Sequence, residues 1–211
     1  MQPNFEKVLH GDKLDRFWTI PNMLSILRIL LSIPIGILLW MNTPVYYLWA
    51  FIIVVIAYIT DWLDGWIARA TNSESRYGKM LDPIGDKLIA VVVSLILLIN
   101  GLFPLYLFLT IVIRDLGISI GGLYAIKRKN LLANPNILGK ISTLLLGILL
   151  PFYTIKYSTI TQQGVSWLNT AIDIVVIYGS YLACVLLIVS AVMYGVAFFR
   201  NVIKSQDGGE Q

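Results

Sequence analysis

Asp61-Trp62-Leu63-Asp64-Gly65-Trp66-Ile67-Ala68-Arg69 closes one long apolar run, and Gly78, Asp82 and Asp86 lead into the next. Four aspartates thus fall within 26 consecutive residues, where two hydrophobic stretches meet water. Like charges this close repel, and desolvation adds to the cost unless cations bind between them. The spacing D-x2-D-G-x2-A-R-x8-G-x3-D-x3-D therefore reads as a metal-dependent active site at a membrane surface.

The composition around this stretch agrees. Of 211 residues, 57% are hydrophobic and 13% charged, against roughly 25% charged in soluble domains. Six apolar runs, at 20–41, 45–67, 82–101, 103–126, 138–157 and 171–199, are each near the ~20 residues that a bilayer core requires. The predicted fold is all-α: a single polytopic domain over 1–211 with six transmembrane helices. Residues 1–18 form a juxtamembrane arm and 200–211 a C-terminal tail. In the arm, Phe5, Val8 and Leu9 recur at helical spacing, and Phe17 and Trp18 follow Arg16, as in a short helix lying in the interface.

Charge distribution predicts orientation. With both termini cytoplasmic, Lys156 is the only one of the 16 basic residues in an outside loop, as the positive-inside rule favours. The acidic motif then faces the cytoplasm of an integral membrane protein, here assigned to a bacterial cytoplasmic membrane. The net charge of +4 is not a nucleic-acid footprint, because the cations collect beside spans rather than along a stripe. The mixed-charge N-terminus followed by a long apolar run does not read as a cleavable signal. One Cys and one His leave little for a thiol or zinc site. Cys184 reads as a small core residue and His10 as an interfacial one.

Asp61 and Asp64, three apart, share a helix face at the end of the second span, with Ala68 on the same face and Gly65 beside it. Asp82 and Asp86, four apart, share a face at the start of the third, where Pro83 suits a first helical turn. Hard oxygen ligands favour Mg²⁺, Mn²⁺ or Ca²⁺. Four negative charges invite two divalent cations, with a substrate diphosphate completing the coordination. Two metals beside a phosphoryl centre suit an in-line displacement, and one Asp can be spared as a base. A lone Asp82 would read as a helix cap; four acids in this pattern do not.

At these residues the chain resembles the CDP-alcohol phosphatidyltransferases, whose signature is the pattern quoted above. All eight fixed positions match: Asp61, Asp64, Gly65, Ala68, Arg69, Gly78, Asp82 and Asp86. The resemblance implies transfer of a phosphatidyl group from a CDP-linked lipid to an alcohol, releasing CMP. It implies two divalent cations, Mg²⁺ or Mn²⁺, held by Asp61, Asp64 and Asp82, with Asp86 as ligand or general base. It also implies that Gly65, Ala68 and Gly78 make room for the cytidine and that Arg69 faces the nucleotide phosphates. Pro21-Asn22-Met23-Leu24-Ser25-Ile26-Leu27-Arg28 is similar to the family's P-N-x-x-[ST]-x-x-R. Asn22 and Ser25 would then touch the CDP-lipid, and Arg28 an anionic group near the metals. A homodimer is implied by the family alone.

The acceptor is written elsewhere. Arg114-Asp115 lies within the fourth span, and Leu138-Gly139-Lys140 opens the fifth. A mid-span Arg is costly enough to suggest function, with an ion pair to Asp115 as its structural alternative. Arg28, Arg114 and Lys140 are the acceptor-binding candidates. Phosphatidylglycerophosphate synthases usually carry Arg-Glu here, with a second Arg seven residues after the Glu; this chain has Asp115 and Gly122. The segment Arg114 to Tyr124 is instead similar to cardiolipin synthases of the CDP-diacylglycerol type.

The expectation is therefore a CDP-diacylglycerol phosphatidyltransferase with phosphatidylglycerol as acceptor. The alternative acceptor is glycerol 3-phosphate. A reading from a different class, a non-catalytic membrane ion transporter, predicts no CMP release.

Overall fold

In the computed structural model, residues 20–71, 78–129, 137–164 and 166–207 are described, with side chains given for 23, 26–60, 87–121, 137–164 and 166–197. The apolar runs fold as helices: α1 (Ile20–Trp40), α2 (Pro44–Thr71), α3 (Gly78–Ile99), α4 (Leu105–Lys129), α5 (Ile137–Lys156), α6 (Thr159–Gln162) and α7 (Ser166–Asp207). No strand occurs among the described residues. The all-α expectation holds. The expected interfacial helix in the N-terminal arm lies outside the described residues.

Two differences from the sequence reading concern helix ends. α3 starts at Gly78 rather than 82, so Pro83 falls within the helix instead of in its first turn. Its missing N–H removes one intrahelical bond near the end of the helix. α7 runs for 42 residues, through the polar segment beyond the apolar core; nothing in that segment is a Gly or Pro breaker before Asp207. By length and composition, Ile137–Lys156 and Ser166–Ala197 suffice to cross a membrane, and shorter apolar helical stretches occur at Ile26–Trp40, Pro44–Thr60 and Lys87–Ile99.

The helices form two groups. α1 packs along both α2 and α3, while α7 packs along both α4 and α5. α2 against α5 is the main contact between the groups. Ile35, Leu39, Val54, Val93 and Leu97 fill the first group, and Leu149, Leu150 and Leu187 the second. The outer surface is apolar as well. Leu30, Ile33 and Ile37 on α1 and Val185, Ile188, Val192 and Val196 on α7 are all exposed. Apolar stripes of this extent suit lipid rather than water.

Such surroundings leave polar groups few partners, and several buried hydroxyls turn back onto their own helix. Ser94 Oγ donates to the Ala90 carbonyl at 2.6 Å, Ser32 Oγ to Ile29 at 2.6 Å, and Thr154 Oγ1 to Pro151 at 2.8 Å. Where α1 turns into α2, Asn42 takes a left-handed conformation (φ 48°). Tyr47 donates to its side-chain oxygen at 2.7 Å. Asn100, just past α3, donates to the Leu39 carbonyl and to Tyr47 Oη, both at 2.9 Å. Three helix ends are thus tied at one point.

Asn100→Ala is expected to cost about 1–3 kcal/mol, because it removes two hydrogen bonds from a partly buried junction. The thermal midpoint of the detergent-solubilised protein should fall by several degrees. An unchanged midpoint would show that this knot does not hold the first helix group together.

Candidate active site

α2 continues unbroken through Asp61, Asp64, Gly65, Ala68 and Arg69. α3 begins at Gly78 and carries Asp82 and Asp86. Their side chains, like those of Asn22 and Ser25, lie outside the described residues. The helix backbones and the contacts farther along nevertheless set the level of each position.

α1 and α3 run parallel. A Cβ placed on Gly36 would lie 3.3 Å from Val92 and 3.4 Å from Ile96. Counting eight residues back on both helices brings Gly36 to Arg28, and Val92 and Ile96 to Ile84 and Leu88. Arg28 therefore stands level with Asp86, and it is buried. α2 and α5 run antiparallel, joined where Gly147 meets the Tyr58 ring, 3.4 Å from a Cβ position. A Cβ on Gly147 would rest in ordinary van der Waals contact with that ring, so the two helices pack closely here. Seven residues farther toward the acidic end, Lys140 on α5 stands level with Gly65 on α2. Lys140 is exposed.

Arg114 sits deeper. Lys87 Nζ donates to Ser119 Oγ at 2.9 Å, which sets the antiparallel register of α3 and α4. Five residues on, Arg114 is level with Val92, about 9 Å below Asp86 at 1.5 Å per residue. Its guanidinium is buried among α4, α5 and α7. Nη1 pairs with Asp115 Oδ1 at 2.7 Å, and Nη2 donates to the Gly139 carbonyl at 3.1 Å. The mid-span cation thus has its charge compensated by its neighbour, as a buried charge must.

Sequence reasoning singled out Arg28, Arg114 and Lys140. It assigned nothing to Lys87, Ser119, Ser190 or Tyr194, which meet their partners across 32 or more positions in the chain. No local periodicity announces such pairs. Among the described residues no group of three Asp, Glu, His or Cys side chains gathers as a metal site.

An acidic motif straddling two adjoining helix ends, with Arg28 and Lys140 at its level, is what a charged, phosphorylated substrate would need. Residues 18–178 match the CDP-alcohol phosphatidyltransferase family. The chain belongs to that family. An Aquifex aeolicus protein named CDP-diacylglycerol--glycerol-3-phosphate 3-phosphatidyltransferase is 31% identical over 192 residues, covering 88% of this chain and 98% of its own. A Mycobacterium tuberculosis protein named "Putative cardiolipin synthase" is 35% identical over 142 residues, covering 67% of this chain and 66% of its own. A Bacillus subtilis protein with the same name as the Aquifex one is 31% identical, covering 60% of this chain and 71% of its own. The chain is a phosphatidyltransferase of phospholipid synthesis. CDP-alcohol phosphatidyltransferases use divalent metal ions, and a donor set of four carboxylates fits such ions.

The Arg114–Asp115 pair has a measurable signature. Asp115→Ala would strand a buried cation and cost about 3–5 kcal/mol, whereas Arg114→Leu combined with Asp115→Ala should recover much of that loss. Thermal unfolding of the three proteins in detergent checks this. A double variant no more stable than Asp115→Ala would refute the compensation.

Proposed function

We propose that this enzyme transfers the phosphatidyl group of CDP-diacylglycerol to phosphatidylglycerol, as a cardiolipin synthase does. The observation that carries the acceptor is the Arg114–Asp115 pair at 2.7 Å. It removes one cation from those available to the acceptor, and Gly122 stands where a second Arg would be needed. Lys140, exposed at the start of α5, would then meet the acceptor together with Arg28 at the level of Asp86, and the Arg114 guanidinium borders the same end of α5. A phosphodiester monoanion matches that supply better than the near-dianion of a phosphate monoester. The full-length likeness to the Aquifex protein favours a second reading, glycerol 3-phosphate as acceptor.

Asp61, Asp64 and Asp82 hold two divalent cations, Mg²⁺ or Mn²⁺, beside the donor diphosphate, with Asp86 next to them. The bound cations offset the negative charge of the diphosphate. Gly65, Ala68 and Gly78 leave room for the cytidine, Arg69 faces the nucleotide phosphates, and Asn22 and Ser25 hold the CDP-lipid from α1. Asp86 takes the proton of the acceptor hydroxyl. The hydroxyl oxygen bonds to the lipid-linked phosphorus, the bond from that phosphorus to the CMP oxygen breaks, and CMP leaves. Arg28, level with Asp86, steadies the anion.

Six spans with both termini in the cytoplasm account for the distribution of basic residues. Exposed Trp40 and Trp167, at the end away from the acidic motif, suit the opposite interface. The acidic motif then opens to the cytoplasm of a bacterial cytoplasmic membrane. The chain works as a homodimer, for which the exposed apolar surface of α7 leaves room.

Purified protein supplied with CDP-diacylglycerol and Mg²⁺ or Mn²⁺, and offered each acceptor in turn, tests the reading. Cardiolipin with phosphatidylglycerol, and no product with glycerol 3-phosphate, is the expected result. The reverse outcome assigns the other acceptor, and no CMP with either would leave the transporter reading standing. Chelation by EDTA should abolish CMP release, and added Mg²⁺ or Mn²⁺ should restore it. Asp86→Asn is expected to lower kcat by roughly 10²–10⁴-fold, the range for loss of a general base. Near-normal turnover in that variant would remove Asp86 from the proton transfer.

A further inference from the structure

Two cations flank the start of α5, and their surroundings differ. Arg114 is 9% exposed, neutralised by Asp115 and bound through Nη2 to the Gly139 carbonyl. Lys140, the next residue along, is exposed and has no ion-pair partner among the described residues. An ammonium without a counter-ion draws an incoming anion far more strongly than a guanidinium already compensated at contact distance. We propose that Arg114, Asp115 and Gly139 form a positioning unit that locks the first turn of α5 and thereby aims Lys140 at the acceptor phosphate. The inference rests on the phosphatidyltransferase reading.

The geometry around Gly139 supports it. Its carbonyl accepts from Arg114 Nη2 at 3.1 Å, Ser142 Oγ at 3.0 Å and Thr143 Oγ1 at 2.9 Å. Three side-chain donors from two helices therefore converge on the backbone group adjoining Lys140. α7 closes the remaining side. A Cβ on Gly139 would lie 3.1 Å from Tyr194 Cε2, 3.2 Å from Ser190 Oγ and 3.3 Å from Arg114 Nη2. All three contacts are tighter than ordinary packing, so a Cβ at this position requires the guanidinium, the Ser190 hydroxyl and the Tyr194 ring each to give by a few tenths of an ångström.

The unit is also not built for stability alone. Arg114 Nε and Ser190 Oγ are buried without a hydrogen-bond partner. An apolar trio of similar volume would cost less. What such a trio could not do is hold a particular carbonyl at a particular height. At that height Lys140 is level with Gly65, inside the acidic motif of α2.

Steady-state kinetics of the full-length protein in detergent test the role, with saturating CDP-diacylglycerol and varied acceptor. Lys140→Ala is expected to raise the acceptor KM by about tenfold or more, the scale of one charge-assisted hydrogen bond. Asp115→Asn should raise it comparably and leave the KM for CDP-diacylglycerol within about twofold of wild type. The deciding measurement is the double-mutant cycle. In the Lys140→Ala background, Asp115→Asn should add no further increase, because it acts through Lys140. Additive increases would overturn the proposal by showing that Arg114 meets the acceptor itself. An unchanged acceptor KM in Asp115→Asn would overturn it too. If Asp115→Asn does not fold, Gly139→Ala completes the same cycle, with the same two results deciding. Absence of CMP release by the wild type would reject the underlying activity instead, an outcome separate from additivity.

Discussion

An apolar exterior leaves polar groups only one another for partners. That constraint orders the whole structure. Several buried serines and threonines, Ser94, Ser32 and Thr154 among them, bond back to their own helices, and Asn100, Tyr47 and Asn42 form a closed set where three helix ends meet. Arg114 takes its counter-ion from the adjoining residue. Carboxylates that no neighbour neutralises can persist only together, at an end of the bundle, where cations and water reach them.

The same constraint explains how far the sequence could be read. The acidic motif is local: its spacing falls within two helix ends and the short connection between them, so its chemistry shows in the letters alone. The helices showed for the same reason, since about twenty apolar residues leave little choice of structure. Boundaries were less legible. Pro83 suggested a first turn, but the chain is already helical from Gly78. The apolar core of α7 marked its centre and not its 42-residue extent. Long-range partners were not legible at all. Arg114 stood out as costly, and Asp115 was a visible alternative partner. The Gly139 carbonyl, Ser190 and Tyr194 belong to the fold, and no periodicity points to them.

Charge accounting separates donor from acceptor chemistry. The donor needs negative side chains, to gather the cations that a diphosphate requires. The acceptor needs positive ones, in a number matching its own charge. Arg28 reaches the level of Asp86 through the parallel packing of α1 on α3, and Lys140 reaches the level of Gly65 through the antiparallel packing of α5 on α2. The two cations thus reach the two halves of the acidic motif from opposite helix groups.

The division into two helix groups carries a consequence of its own. α1, α2 and α3 bear every residue assigned to the nucleotide lipid, whereas α4, α5 and α7 bear Arg114, Lys140 and the contacts that fix them. The seam between the groups is narrow, centred on α2 and α5. A protein built this way keeps most of the machinery for one reaction partner apart from that for the other. Substitutions along α4, α5 and α7 would retune the choice of alcohol, with Arg28 on α1 and Asp86 on α3 as the parts held in common. The two halves of this single domain thus meet where a glycine on α5 packs in van der Waals contact with a tyrosine ring on α2.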